Sequence, residues 1–131
     1  MTSQAGESPP VFMKWLAVLF IVFIIVVIVL ANNGELGSLH FIYDFPNGDK
    51  VGHFILFGIL TFLFDLTFFQ ALPHADRKRI AIIIGLILAV LIGLEEFSQN
   101  FFPSRTFSLK DLAASYAGVI FFSWLALKRK R

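Results

Sequence analysis

At 131 residues the chain has room for one domain. Hydrophobic residues make up 57% of it, beyond the share of a typical soluble domain, and its aromatic side chains are mostly Phe, 17 against 2 Trp. A formal charge of +2 is too small to point to nucleic acid, and the absence of Cys excludes disulfides and thiolate metal sites.

Four apolar stretches follow in chain order. The first, residues 11–31, reads VFMKWLAVLFIVFIIVVIVLA, with only Lys14 interrupting it. About twenty apolar residues cross a hydrocarbon core of roughly 30 Å as an α-helix. Val29-Leu30-Ala31 satisfies the small-residue rule for signal cleavage. The apolar run, however, exceeds the roughly seven to fifteen residues of a signal core, which favours an uncleaved helix. The second stretch, 51–72, carries one acidic residue, Asp65. The third, 80–98, reaches bilayer length only if Glu95, Glu96 and their neighbours continue the helix. The fourth, 111–127, is shorter and rich in small residues. Because these runs are apolar on nearly all faces, lipid is a better surrounding for them than water. The expected architecture is an all-α membrane protein, a single domain over 1–131 forming an antiparallel bundle of four transmembrane helices.

The basic residues orient that bundle. Lys14, Arg77, Lys78, Arg79 and the tail Lys128 to Arg131 place eight of the 11 Lys and Arg on one side; Lys50, Arg105 and Lys110 are the three on the other. The positive-inside rule then puts both termini and the 73–79 loop in the cytoplasm.

Polar residues with chemical potential fall mostly on the outer side, in two groups. One is Asp49, Lys50 and His53 at the start of helix two. The other is Glu95, Glu96, Ser98 and Gln99, then Arg105, then Lys110 and Asp111. Ionisable groups at a membrane boundary are unfavourable without partners and are therefore candidates for function. Asp49 follows Asn47-Gly48, a turn signal, and is equally a candidate N-cap. His53 shares a helix face with Asp49. An Asp–His hydrogen bond would orient the imidazole as a proton acceptor or ligand, or simply solvate an interfacial histidine.

Glu95 and Glu96 project about 100° apart on a helix and are not expected to face one partner, whereas Glu96 and Gln99 share a face. Arg105 is expected to pair with Glu96 or Asp111, or to offer its fork to a phosphate or carboxylate; a solvated loop arginine is the plain alternative. Ser108-Leu109-Lys110-Asp111 has the form of a capping box, with Asp111 reaching back to the Ser108 backbone. Asp111, Ser115, Gly118 and Phe122 form a stripe along helix four whose small members permit close helix approach. Asp65 is expected nearer the cytoplasmic side, snorkelling or paired with Arg77 to Arg79, with a proton relay as the alternative. Residues 32–48 show brief alternation around His40 to Phe45, compatible with a segment lying along the outer interface.

No Gly-rich phosphate loop, nucleophile elbow or paired-His zinc helix occurs. No cofactor is expected. A metal site from His53, Glu96 and Asp111 would need three ligands from distant motifs, and none is assigned.

The pattern Asp49-Lys50-x-x-His53, Glu96-x-x-Gln99, Arg105, and Asp111 with Gly118 seven residues on resembles the VanZ-like family over residues 49–118. These are small bacterial membrane proteins, some associated with resistance to the glycopeptide teicoplanin. One position departs: Ser115 stands where the family usually carries Asn, one donor in place of two. The resemblance implies a multi-pass protein of the bacterial inner membrane, associated with the cell envelope. Asp49, Lys50, His53, Glu96, Gln99, Arg105, Asp111 and Ser115 are then its ligand-binding candidates.

Three functions fit these residues. The outer cluster either recognises a lipid headgroup or cell-wall precursor, altering glycopeptide susceptibility, or catalyses a reaction on a lipid-linked substrate. In the catalytic reading His53 or Glu96 is the proton acceptor, Arg105 the anion holder, and Asp111 a further candidate. The third reading, a small proton-coupled transporter, requires Asp65. The bilayer is a partner in all three; nucleic acid is not.

Overall fold

The computed structural model describes residues 11–32, 48–102 and 108–129. These residues form helices and their connections, with no strand among them. Helix α1 is Val11–Asn32, α2 is Gly48–Ala71, α3 is Arg77–Ser98 followed by a 3-10 turn at Gln99–Phe101, and α4 is Leu109–Lys128. Residues 33–47, and with them the interfacial reading of that segment, lie outside the described residues, as does Arg105.

Three of the helices begin two or three residues before the apolar runs do, because polar residues supply their first turns. Asp76 caps α3, its side chain accepting from the Lys78 N–H at 3.2 Å. Ser108 caps α4, its hydroxyl accepting from the Asp111 N–H at 3.2 Å. Helix α2 starts at Gly48, so Asp49 sits within its first turn. Helix α3 does continue through Glu95 and Glu96.

Two stretches, Lys50–Ala71 and Arg77–Phe101, are long and apolar enough to cross a membrane; Lys14–Leu30 is a shorter apolar helix. Helix α2 packs most extensively on α4, α3 lies against both, and α1 leans on α2. The start of α2 meets the start of α4, where Lys50 faces Asp111, so these two helices run parallel. Helix α3 runs against them: its first residue, Arg77, reaches the end of α4 at Ala126, and Glu96 near its last turn reaches Ser108 at the start of α4.

Glycine sets the α2–α4 separation. A Cβ on Gly118 would collide with the Phe54 backbone carbonyl, and one on Gly58 would enter the Phe122 ring. Where the backbones approach so closely, dispersion contacts along both helices multiply. Phe54 and Phe62 of α2 then interlock with Phe122 of α4 in edge-on pairs, with centroids 5.9 and 6.5 Å apart.

The bundle has an apolar core, but it also buries several polar side chains and leaves much apolar surface outside. The largest fully buried side chains are Gln99, Glu96, Thr61, Asp65 and Ser115, all polar. On α3, Ile84, Leu88 and Ile92 pack inward, yet Ile82, Leu86, Val90 and Leu94 on the outer side are each at least 60% exposed. Leu19 on α1 and Ile120 on α4 are as exposed. Unbroken apolar surface of this kind has no favourable partner in water.

Candidate functional site

The separated polar motifs converge at one end of the bundle, where α2 and α4 begin and α3 ends. Glu96 is at the centre and 1% exposed. Its Oε2 accepts from the Ser108 backbone N–H at 2.9 Å, and its Oε1 accepts from Gln99 Nε2 at 3.2 Å. The capping box therefore closes differently from the sequence expectation. Ser108 caps α4 as predicted, but the carboxylate that answers its N–H comes from Glu96 on α3, not from Asp111.

That leaves the Asp111 carboxylate available to face α2. Its Oδ1 lies 3.6 Å from Lys50 Nζ, an ion pair across the parallel helices. The separation exceeds hydrogen-bonding distance, and Oδ1 accepts no hydrogen bond. His53, one turn past Lys50, stacks over Phe57 with centroids 6.0 Å apart and lies within electrostatic range of Glu96, as does Asp111. Ser115 is fully buried, its hydroxyl donating to the Asp111 carbonyl at 3.1 Å, so it serves the close α2–α4 contact from within its own helix.

Glu95 belongs to this site although the spacing argument separates it from Glu96. Gln99 Nε2 lies 3.3 and 3.4 Å from the two Glu95 oxygens while also meeting Glu96. Adjacent residues diverge at Cβ, but two flexible glutamate chains can close on an amide placed three and four residues later. The i, i+4 spacing of Glu95 and Gln99 was the available signal. Ser98 reinforces the turn by donating to the Glu95 carbonyl at 2.6 Å.

The assembled site thus holds three carboxylates, one ammonium, an imidazole and an amide within a small volume. Among the described residues, no group of three His, Asp or Glu side chains is arranged to hold a metal ion. Asp49's side chain, like Arg105, lies outside the described residues, so the structure leaves its proposed bond to His53 unaddressed.

Asp65 does not do what its position in sequence suggested. It is fully buried, and neither carboxylate oxygen accepts a hydrogen bond. Ser123 of α4 is close enough to interact with it but makes no well-formed bond. Arg77 is committed elsewhere: Nη2 donates to the carbonyls of Ala126 at 2.9 Å and Arg129 at 2.7 Å, and its guanidinium lies 4.7 Å over the Phe69 ring. It acts as a C-terminal cap on α4. Lys78 and Arg79 are exposed, remote from a carboxylate sealed inside the bundle. A shallow depression beside Arg77, lined by Ala75, Asp76, Lys78 and Leu127, lies at this opposite end and is unconnected with the carboxylate cluster.

No protein-family model matches this sequence. No solved structure matches it either. An uncharacterised protein of the fission yeast Schizosaccharomyces pombe is 35% identical over 98 residues, which cover 74% of this chain. The matched region spans 55% of the yeast protein, so the two share about half of that relative's length.

Proposed function

We propose that the chain is a four-span membrane protein of VanZ-like type, both termini cytoplasmic, whose outer polar site recognises a lipid headgroup. The observation that carries this reading is the juxtaposition of Lys50, His53, Glu95, Glu96 and Asp111 at one end of a bundle with apolar outer faces. The eight-to-three division of basic residues supports the orientation, with this end outside. Burial of polar side chains beneath exposed leucine and isoleucine supports lipid as the surrounding of α1 and α4 as well as of the two longer stretches.

The charges favour one class of headgroup. Carboxylates outnumber cations among the described site residues, which suits an ammonium-bearing zwitterion: the amine against Glu95, Glu96 or Asp111, the phosphate against Lys50. In a bacterial inner membrane, occupation of such a site would alter how the envelope meets teicoplanin, as the VanZ-like resemblance implies.

Native mass spectrometry of the purified protein with phosphatidylethanolamine and phosphatidylglycerol tests the recognition. Retention of phosphatidylethanolamine over phosphatidylglycerol, lost in Glu96→Gln and Asp111→Asn at unchanged folding, is the expected result. Equal retention of both lipids by wild type and variants would overturn it. In a bacterial host, His53→Ala, Glu96→Gln, Arg105→Ala and Asp111→Ala are expected to remove any effect on teicoplanin susceptibility while membrane abundance is maintained.

The electrostatic proximity of His53 and Glu96 favours a second reading, an enzyme acting on a lipid-linked substrate with this pair as proton acceptor. Product formed from a lipid-linked substrate by wild type, and absent with His53→Ala, would establish it in place of recognition alone.

A further inference from the structure

Between the outer site and the basic end, the interior holds a polar group that neither the headgroup reading nor the helix packing uses. Asp65 lies on the buried face of α2, one turn past Thr61, and both residues are fully buried. Thr61 spends its proton within its own helix, donating to the Phe57 carbonyl at 2.7 Å. Ser115, two turns earlier along the parallel α4 than Ser123, does the same toward Asp111. Among the described residues Asp65 is the carboxylate with both oxygens buried and neither accepting a hydrogen bond.

The charged groups on the surrounding helices are otherwise placed. On α3, Arg77 is held by the end of α4, Lys78 and Arg79 are exposed, and Glu95 and Glu96 belong to the outer cluster. On α4, Asp111 pairs with Lys50, and Lys110 and Lys128 are exposed; on α1, Lys14 is exposed. Ser123 is the neighbouring side chain that acts on Asp65. A bare carboxylate in such surroundings is strongly unfavourable unless a cation neutralises it. Packing gives no reason for an acid here, since Asn would fill nearly the same volume without the charge.

We propose that Asp65 is a binding site for a small monovalent cation, a proton or Na⁺, inside the helix bundle. Thr61 and Ser123 have hydroxyl oxygens able to complete the shell of a metal ion, whereas a proton needs the carboxyl alone. The site stands independently of the outer cluster, and its test does not require that the headgroup be identified.

Carbodiimides add to a carboxylic acid across their C=N bond, giving an acylurea that retains every atom of both reactants, and apolar ones reach acids inside a bilayer. The purified full-length protein in detergent would be treated with dicyclohexylcarbodiimide from pH 5 to 9, with and without Na⁺, and modification of each carboxyl quantified by peptide mass spectrometry. Modification at Asp65, suppressed at least fivefold either by high pH alone or by Na⁺ at constant pH, is the expected result. Suppression by pH alone identifies the proton, and suppression by Na⁺ identifies the metal ion. Asp65→Asn, an isosteric change, is expected to fold with unaltered melting behaviour and to lose the modification. Failure of Asp65 to react in folded protein, when it reacts in denatured protein, would overturn the proposal. So would modification indifferent to both pH and Na⁺. A folded state lost in Asp65→Asn but retained in Asp65→Glu would instead mark a structural acid that Asn cannot replace, and would likewise overturn it.

Discussion

Glu96 shows how one side chain serves two helices. Its carboxylate answers the Ser108 N–H at the start of α4 and the Gln99 amide at the end of its own helix. Removing it leaves the Ser108 N–H unmet and the Gln99 amide with Glu95 alone, and an unmet buried group typically costs about 1–3 kcal/mol. Glu96→Ala is therefore expected to lower unfolding stability in detergent by about 2 kcal/mol or more. Glu96→Gln, which keeps an acceptor oxygen for Ser108, is expected to lose less than half as much. Ser108→Ala should cost about 0.5–2 kcal/mol through the lost cap on α4. Chemical unfolding followed by circular dichroism would rank the three variants, and equal losses for Glu96→Ala and Glu96→Gln would contradict the bonding described. The capping box was legible in sequence only in its Ser108 half. Asp111 is one methylene shorter than the Glu or Gln that closes such a box, and the competitor arrives from a residue twelve positions earlier on another helix.

At the scale of elements, the parallel α2–α4 contact rests on two glycines that differ in what they approach. Gly118 faces backbone, the Phe54 carbonyl, which cannot move without displacing α2. Gly58 faces the Phe122 side chain, which can be replaced. Gly118→Ala is expected to destabilise by about 1–3 kcal/mol through overpacking, with no recovery from Phe122→Leu. Gly58→Ala should cost a similar amount alone and recover at least half of it in combination with Phe122→Leu. A double-mutant cycle on thermal unfolding in detergent measures both couplings; rescue of Gly118→Ala by Phe122→Leu would refute the distinction. The stripe Asp111, Ser115, Gly118 and Phe122 made close approach foreseeable. Its partner was not, because periodicity marks a face of one helix without naming the helix that covers it.

At the scale of the whole molecule, topology is open to direct measurement because the chain has no native Cys. Lys110→Cys is expected to react with a membrane-impermeant maleimide added to intact cells. Arg79→Cys is expected to react only after permeabilisation. The opposite pattern would invert the proposed orientation and move the carboxylate cluster to the cytoplasmic side. Both positions are exposed at opposite ends of the bundle, so neither change disturbs packing.

The sequence by itself determined the helical class and the approximate extent of each helix. Those properties reside in local runs of side chains: an apolar stretch of sufficient length becomes a helix whatever it packs against. Only the tertiary structure decided which polar groups meet. It brought Glu95 and Glu96 onto one amide, carried Glu96 to the cap of α4, committed Arg77 to the end of that helix and left Asp65 without a hydrogen-bonding partner. These outcomes depend on the rotation of each helix about its axis and on the parallel approach of α2 to α4. Side chains far apart in sequence set both, so no local pattern encodes them.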